Sequence, residues 1–183
     1  MANKKLHILV EAAIMIALGT VLSLIKIPYV FGGGVTPLSM LPICLFGLRR
    51  GVKWGFGASF VYAVLQMLLS LAKVIGWGLT PTVLLACLFL DYLLAYTVLG
   101  IAGFGHHKGR FGMCAAVFAA MAARFLCHFF SGTVLFGTFG LNDVWYSITY
   151  NGSYMLPEAI LTIAALLILS AIPKTWALLT KTE

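Results

Sequence analysis

The sequence predicts an all-α membrane protein with six transmembrane helices and both termini on the cytoplasmic side, and three observations carry that prediction. Of its 183 residues 62% are hydrophobic and only 9% are charged, and the mean hydropathy is +1.04, a composition of membrane rather than soluble domains. The apolar residues gather in blocks, most of them long enough to cross a hydrocarbon core about 30 Å thick. Lys4, Lys5, Arg49, Arg50, Lys53, Lys108, Arg110, Lys174 and Lys181 flank alternate blocks, whereas Lys26, Lys73 and Arg124 do not. The first group marks the cytoplasmic side, and two inward termini require an even number of crossings. Topology thus accounts for the formal net charge of +7, and the absence of a clustered basic patch or recognition motif argues against nucleic acid as a partner.

The first span runs from about Leu6 to Ile25 and ends at Pro28; it is too long for a signal-peptide core and lacks a small-residue cleavage site, so it is expected to remain as a helix. Ala13 and Ala17 stand four apart in it, near Ala12 and Gly19, a strip of small residues on which another helix packs closely. Packing within the chain is the first expectation for this strip, and a partner protein the alternative. Tyr29 to Pro37, with Gly32, Gly33 and Gly34, reads as an outer connector or lid that holds no helix. Leu38–Leu48 is a short second span interrupted by Pro42. After the basic turn, Trp54–Leu71 makes a third span with Gln66 as its strongly polar residue. Lys73–Thr80 is an outer loop whose Trp77 either anchors at the headgroups or reaches a ligand.

Pro81, suited to a first helical turn, opens a fourth span to about Phe104, with Asp91 near its middle. His106 and His107 fall in a cytoplasmic turn and are expected to be solvated. The fifth span covers about Phe111–Phe136, a loop with Asp143, Trp145 and Tyr146 follows, and the sixth covers about Tyr150–Ile172. Cys44, Cys87, Cys114 and Cys127 are dispersed in apolar segments, without CxxC pairs or histidines at ligand spacing, so no metal site is expected and they read as small buried hydrophobes. No repeat, Walker motif or heptad run appears, which leaves one membrane domain over residues 1–183 and no cofactor of its own.

The fifth span carries the most informative stretch, RFLCHFFSGTVLF. Ionisable residues inside a membrane segment are costly and usually functional. Arg124 and His128 are four apart, and Ser131, Gly132 and Phe136 continue the same helical stripe. A purely structural account, an arginine paired with a carboxylate and a histidine bonded to a carbonyl, is the competing reading. At about 1.5 Å per residue, Glu158 on the sixth span lies level with Arg124, which predicts a structural ion pair. Asp91 is then less compensated and free to meet a cation, and Tyr92, Phe136, Trp145, Tyr146 and Tyr154 supply flat faces for a planar or cationic heterocycle.

LRRG in the second turn, DYLLAYTVLGIAGF in span four, RFLCHFFSG in span five and YSITYNGSYMLPE entering span six resemble the thiamine-specific S components of energy-coupling factor (ECF) transporters, over essentially the whole chain. The resemblance implies a protein of the bacterial plasma membrane that captures thiamine from outside with high affinity. It further implies docking, through Ala13 and Ala17, on an ATP-driven ABC-type module made of a transmembrane coupling protein and two ATPases, with ATP used by those partners. Matching ligand positions are Asp91, Tyr92, His128, Gly132, Phe136, Tyr146 and Asn151. Three departures stand out: Asp91 where the family has glutamate, Phe136 at a tryptophan position, and no first-loop tryptophan near Gly33, a space Trp77 or Tyr29 would fill. An S component for another vitamin or a thiamine precursor is the alternative within the class. A membrane-embedded hydrolase or transferase using His128 and Asp91 is the alternative outside it, without a GxSxG-type nucleophile to support it.

Overall fold

The computed structural model describes residues 2–28, 34–136 and 140–180. Seven helices follow one another among them: α1 Ala2–Leu24, α2 Leu41–Arg50, α3 Val52–Ile75, α4 Pro81–Gly105, α5 Gly109–Leu135, α6 Leu141–Ala171 and α7 Pro173–Thr180. Two short strands, β1 Ile27–Pro28 and β2 Gly34–Val35, pair antiparallel. Tyr29, Gly32 and Gly33 lie outside the described residues, so the expected lid does too, except for its return strand.

Five of these helices, α1, α3, α4, α5 and α6, are long and apolar enough to cross a membrane. The expected second span is the exception. At 10 residues, α2 measures about 15 Å, half a hydrocarbon core. It is also the hub of the bundle, since seven of its residues from Leu41 to Leu48 are buried. Its side chains join one core cluster with Ile16 of α1, Tyr62 of α3, Leu99 of α4, Val117 of α5, Leu166 of α6 and Leu179 of α7. Neighbours thus satisfy the apolar surface that a lipid-facing span would expose.

Glycine makes this packing close. A Cβ on Gly47 would lie 3.2 Å from the Gly103 amide nitrogen, and one on Gly55 would lie 3.1 Å from Gly47 Cα, so α2, α3 and the 3₁₀ end of α4, Val98–Gly105, meet backbone to backbone. Gly51, between α2 and α3, has φ +80, where other residues are strained.

Several contacts define one end of the bundle. Glu11 of α1 accepts from Arg49 Nη1 at 2.8 Å and also pairs with Arg50. His106 Nδ1 bonds Leu48 O at 2.8 Å, so this histidine is anchored rather than simply solvated as the sequence suggested, while His107 is exposed. Arg110 donates to Ser170 O and lies over the Trp176 ring, which seats α7 beneath the bundle. The basic turns therefore share the end opposite β1 and β2.

Two expectations for α1 and α6 are corrected. Gly19 faces inward, 3.1 Å from Ser39 O by its virtual Cβ, but Ala13 and Ala17 are exposed, so packing within the chain does not use them. Asp143, Trp145 and Tyr146, expected in a loop, form the first turns of α6. Asp143 accepts the Gly140 N–H at 3.3 Å, satisfying a helix-start amide, and the 31-residue helix runs about 46 Å, well beyond the hydrocarbon.

Candidate ligand-binding site

A cavity of about 790 Å³ opens at the end away from the basic turns. Its walls come from α4 (Asp91, Tyr92, Tyr96), α5 (Arg124, His128, Ser131, Gly132, Phe136) and α6 (Tyr146, Ser147, Tyr150, Asn151, Tyr154, Glu158). On the facing side stand Ser23 and Lys26 from the end of α1, Thr36 after β2, and Gln66, Ser70, Lys73 and Trp77 from α3 and its exit. All seven residues expected at a ligand site line this one cavity.

Local helix irregularity builds two of the walls. Leu88–Leu94 of α4 and Ser131–Leu135 of α5 are π-helical, a widened turn that recurs at functional sites. The first carries Asp91 and Tyr92, the second Gly132. Neither is visible in hydrophobic periodicity, which reads both segments as plain α-helix.

Asp91 is not the undercompensated carboxylate that the sequence suggested. It accepts from His128 Nδ1 at 2.9 Å, Ser131 Oγ at 2.5 Å and Cys87 Sγ at 3.3 Å. The reason is local: Cys87 stands four residues before it, and Ser131 follows His128 by three on the same face of α5. A carboxylate only accepts, so the hydrogen sits on His128 Nδ1, and in the neutral ring Nε2 then offers a lone pair.

Glu158 is equally well held, 3.1 Å from Arg124 Nη1 through Oε2 and accepting from Thr36 Oγ1 at 2.6 Å and Ser39 Oγ at 3.0 Å through Oε1. Arg124 also lies 4.6 Å over the Tyr96 ring. Both members of the pair are buried, where a charge left without such partners is costly. Thr36, Ser39 and Tyr96 were missed by sequence reasoning. Tyr96 follows Tyr92 by one helical turn, a signal that was available, but nothing local marks Thr36 or Ser39 as partners of a residue more than a hundred positions away.

Gly132 and Asn151 turn out to join helices. A Cβ on Gly132 would lie 2.5 Å from Ser147 Oγ, so the gap expected for a ligand is filled by α6. Asn151 Nδ2 donates to His128 O at 3.3 Å and to Ser147 O at 3.0 Å, and its Oδ1 accepts from Tyr154 at 2.7 Å. These bonds fix the distance between the His128 and Tyr154 walls. Among the described residues, Arg124 Nε and His128 Nε2 are fully buried atoms without a hydrogen-bond partner.

The arrangement lacks the geometry of nucleophilic catalysis, since Ser131 and His128 Nδ1 both donate to Asp91 and the hydroxyl does not face a basic nitrogen. Among the described residues no cluster of three or more His, Cys, Asp or Glu residues suits a metal ion. The site is a polar, aromatic-walled pocket.

Residues 9–176 match the thiamine transporter protein family, Thia_YuaJ. The chain belongs to that family. It is 31% identical over 184 residues to the thiamine transporter ThiT of Bacillus subtilis (strain 168), covering 91% of this chain and 92% of the relative. It is 28% identical over 178 residues to ThiT of Lacticaseibacillus paracasei, covering 88% and 85%. A solved structure of ThiT from Listeria monocytogenes, 24% identical, superposes with a TM-score of 0.69 over 95% of this chain and 99% of that one, which shows a shared fold. The protein is a multi-pass transport protein of the bacterial plasma membrane and not an enzyme.

Proposed function

We propose that the chain is the high-affinity thiamine-binding S component of an ECF-type ABC transporter, with six transmembrane helices, the short α2 counted among them, and both termini cytoplasmic. The observation that carries this reading is a polar cavity walled by aromatic side chains and lined by Asp91 and His128, within a thiamine transporter family. His128 and Asp91 supply polar groups on the cavity wall for the aminopyrimidine of thiamine. The aromatic faces of Tyr92, Phe136, Tyr146 and Tyr150 suit the second, cationic ring of thiamine. Asp91 contributes its charge and the orientation of His128, and Asn151 and Gly132 hold the walls in register.

Capture from the outside follows if the basic turns are cytoplasmic, because the cavity opens at the other end. Delivery then requires the ECF coupling protein and its two ATPases, for which the exposed Ala13 and Ala17 offer a contact on α1. Titration calorimetry on purified protein without ATP tests the reading: thiamine should give a saturable one-to-one isotherm. Heat with a different vitamin and none with thiamine would reassign the ligand.

A further inference from the structure

Trp77 stands where the α3–α4 connection reaches the cavity, and the turn that carries it is well defined. Its N–H donates to Val74 O and that of Gly78 to Ile75 O, both at 3.2 Å. Gly78 has φ +68 and open space around its virtual Cβ, a conformation glycine adopts without strain. The indole set by this turn lines the cavity and meets Phe136 edge to face, with centroids 6.2 Å apart and planes at 81°. The contact links the α3–α4 connection to the outer end of α5, on two sides of the cavity mouth.

Two further facts bear on what the indole does there. It remains 46% exposed and Phe136 50% exposed, although both border a cavity. Lys73 Nζ lies 5.7 Å from the indole centroid, within the range over which a ring quadrupole attracts a cation. The electrostatics of this ring thus already favour a positive charge. Anchoring in the headgroup region accounts for the exposure alone; it accounts for neither the brace by Phe136 nor the position on the cavity wall.

We propose that Trp77 is a ligand-binding residue whose face closes over the cationic ring of the ligand at the cavity mouth, braced edge-on by Phe136, with the ligand cation taking the place of Lys73 on that face. The inference rests on the thiamine reading above and assigns the subsite of the thiazolium ring. Trp is the strongest of the aromatic residues in this role, and a desolvated cation gains more from it than an exposed one. Lys73 has a flexible stem, so its ammonium can return to solvent at little cost.

The test compares Trp77→Leu, which keeps apolar bulk and removes the π face, with Trp77→Phe, which keeps a face, by calorimetry and stopped-flow binding of thiamine. Trp77→Leu should weaken binding about tenfold or more, chiefly through faster dissociation, and Trp77→Phe should recover most of the loss. Lys73→Met should bind thiamine more tightly than wild type, because a competing cation is gone, and weaker binding would overturn the exchange of cations on this face. In a protein with Trp54, Trp145 and Trp176 replaced by phenylalanine, thiamine should quench Trp77 fluorescence at the calorimetric midpoint. Binding of Trp77→Leu within about twofold of wild type, or no quenching of Trp77 by bound thiamine, overturns the proposal while leaving the thiamine reading intact. Lower stability of Trp77→Leu in bilayers with unchanged affinity would make the residue an anchor and overturn it equally. Failure of the wild-type protein to bind thiamine would remove the ligand reading itself, and this subsite with it.

Discussion

Asp91 takes hydrogen bonds from a histidine, a serine and a cysteine, and that crowding changes what its substitution means. Asparagine keeps the shape but presents an NH₂ group to donors that need an acceptor. Asp91→Asn should therefore disturb the orientation of His128 and Ser131 as well as remove a charge. Thiamine affinity is expected to fall at least about tenfold, on the order of 1.4 kcal/mol, the low end for a lost bond to a charged group. Because much of the effect runs through His128, the losses in Asp91→Asn and His128→Ala should not add, and the double variant should bind about as weakly as the worse single one. A strictly additive cycle in calorimetry would instead give Asp91 an independent contact with the ligand. The sequence made Asp91 visible because a carboxylate inside an apolar block is rare. Its saturation was hidden, because which residues of another helix face Asp91 is set by how α4 and α5 pack, not by the spacing within either.

Among the elements, α5 and α6 were the most legible, and the reason is geometric. Arg124 lies in the α-helical part of α5, Gly109–Phe130, ahead of its π turn, so counting at a fixed rise put Arg124 and Glu158 at one depth, and the two are 3.1 Å apart. The same counting failed where a helix end depends on capping, as at Asp143, and the shortness of α2, visible in the sequence, did not reveal that its apolar residues are covered by neighbours. It also missed the second half of the Glu158 network. Thr36 and Ser39 bind the oxygen that Arg124 leaves free, tying the segment between β2 and α2 to the middle of α6. Breaking a buried pair by removing one partner costs about 3–5 kcal/mol, so Arg124→Met and Glu158→Gln should each lower the melting temperature in detergent markedly. The double substitution should cost less than the two losses summed, since no lone charge remains. Melting temperatures that fall additively would mean the pair contributes nothing as a pair.

At the scale of the whole molecule the bundle has two unlike ends and, in α1, a helix with a small-residue face turned outward. The basic turns, the Glu11 pairs and α7 close one end, the cavity opens at the other, and α1 runs between them with Ala13 and Ala17 facing outward. That outward face could not be read from the sequence, because a small-residue strip looks the same whether it meets its own chain or another; only the placement of Gly19 against Ser39 and Tyr62 shows which side of α1 the bundle uses. On the proposed ECF reading ATP is used by partner proteins, which requires a contact apart from the pocket, and a helix partner approaches closely only over small side chains. Replacing Ala13 or Ala17 with tryptophan should therefore reduce thiamine uptake strongly in cells expressing the complete transporter. Calorimetric binding by the isolated subunit should stay close to wild type, because neither alanine lines the cavity. Uptake at the wild-type rate by both variants would make this face a lipid surface, whereas loss of binding together with uptake would show that α1 packing and the cavity are coupled through the bundle itself.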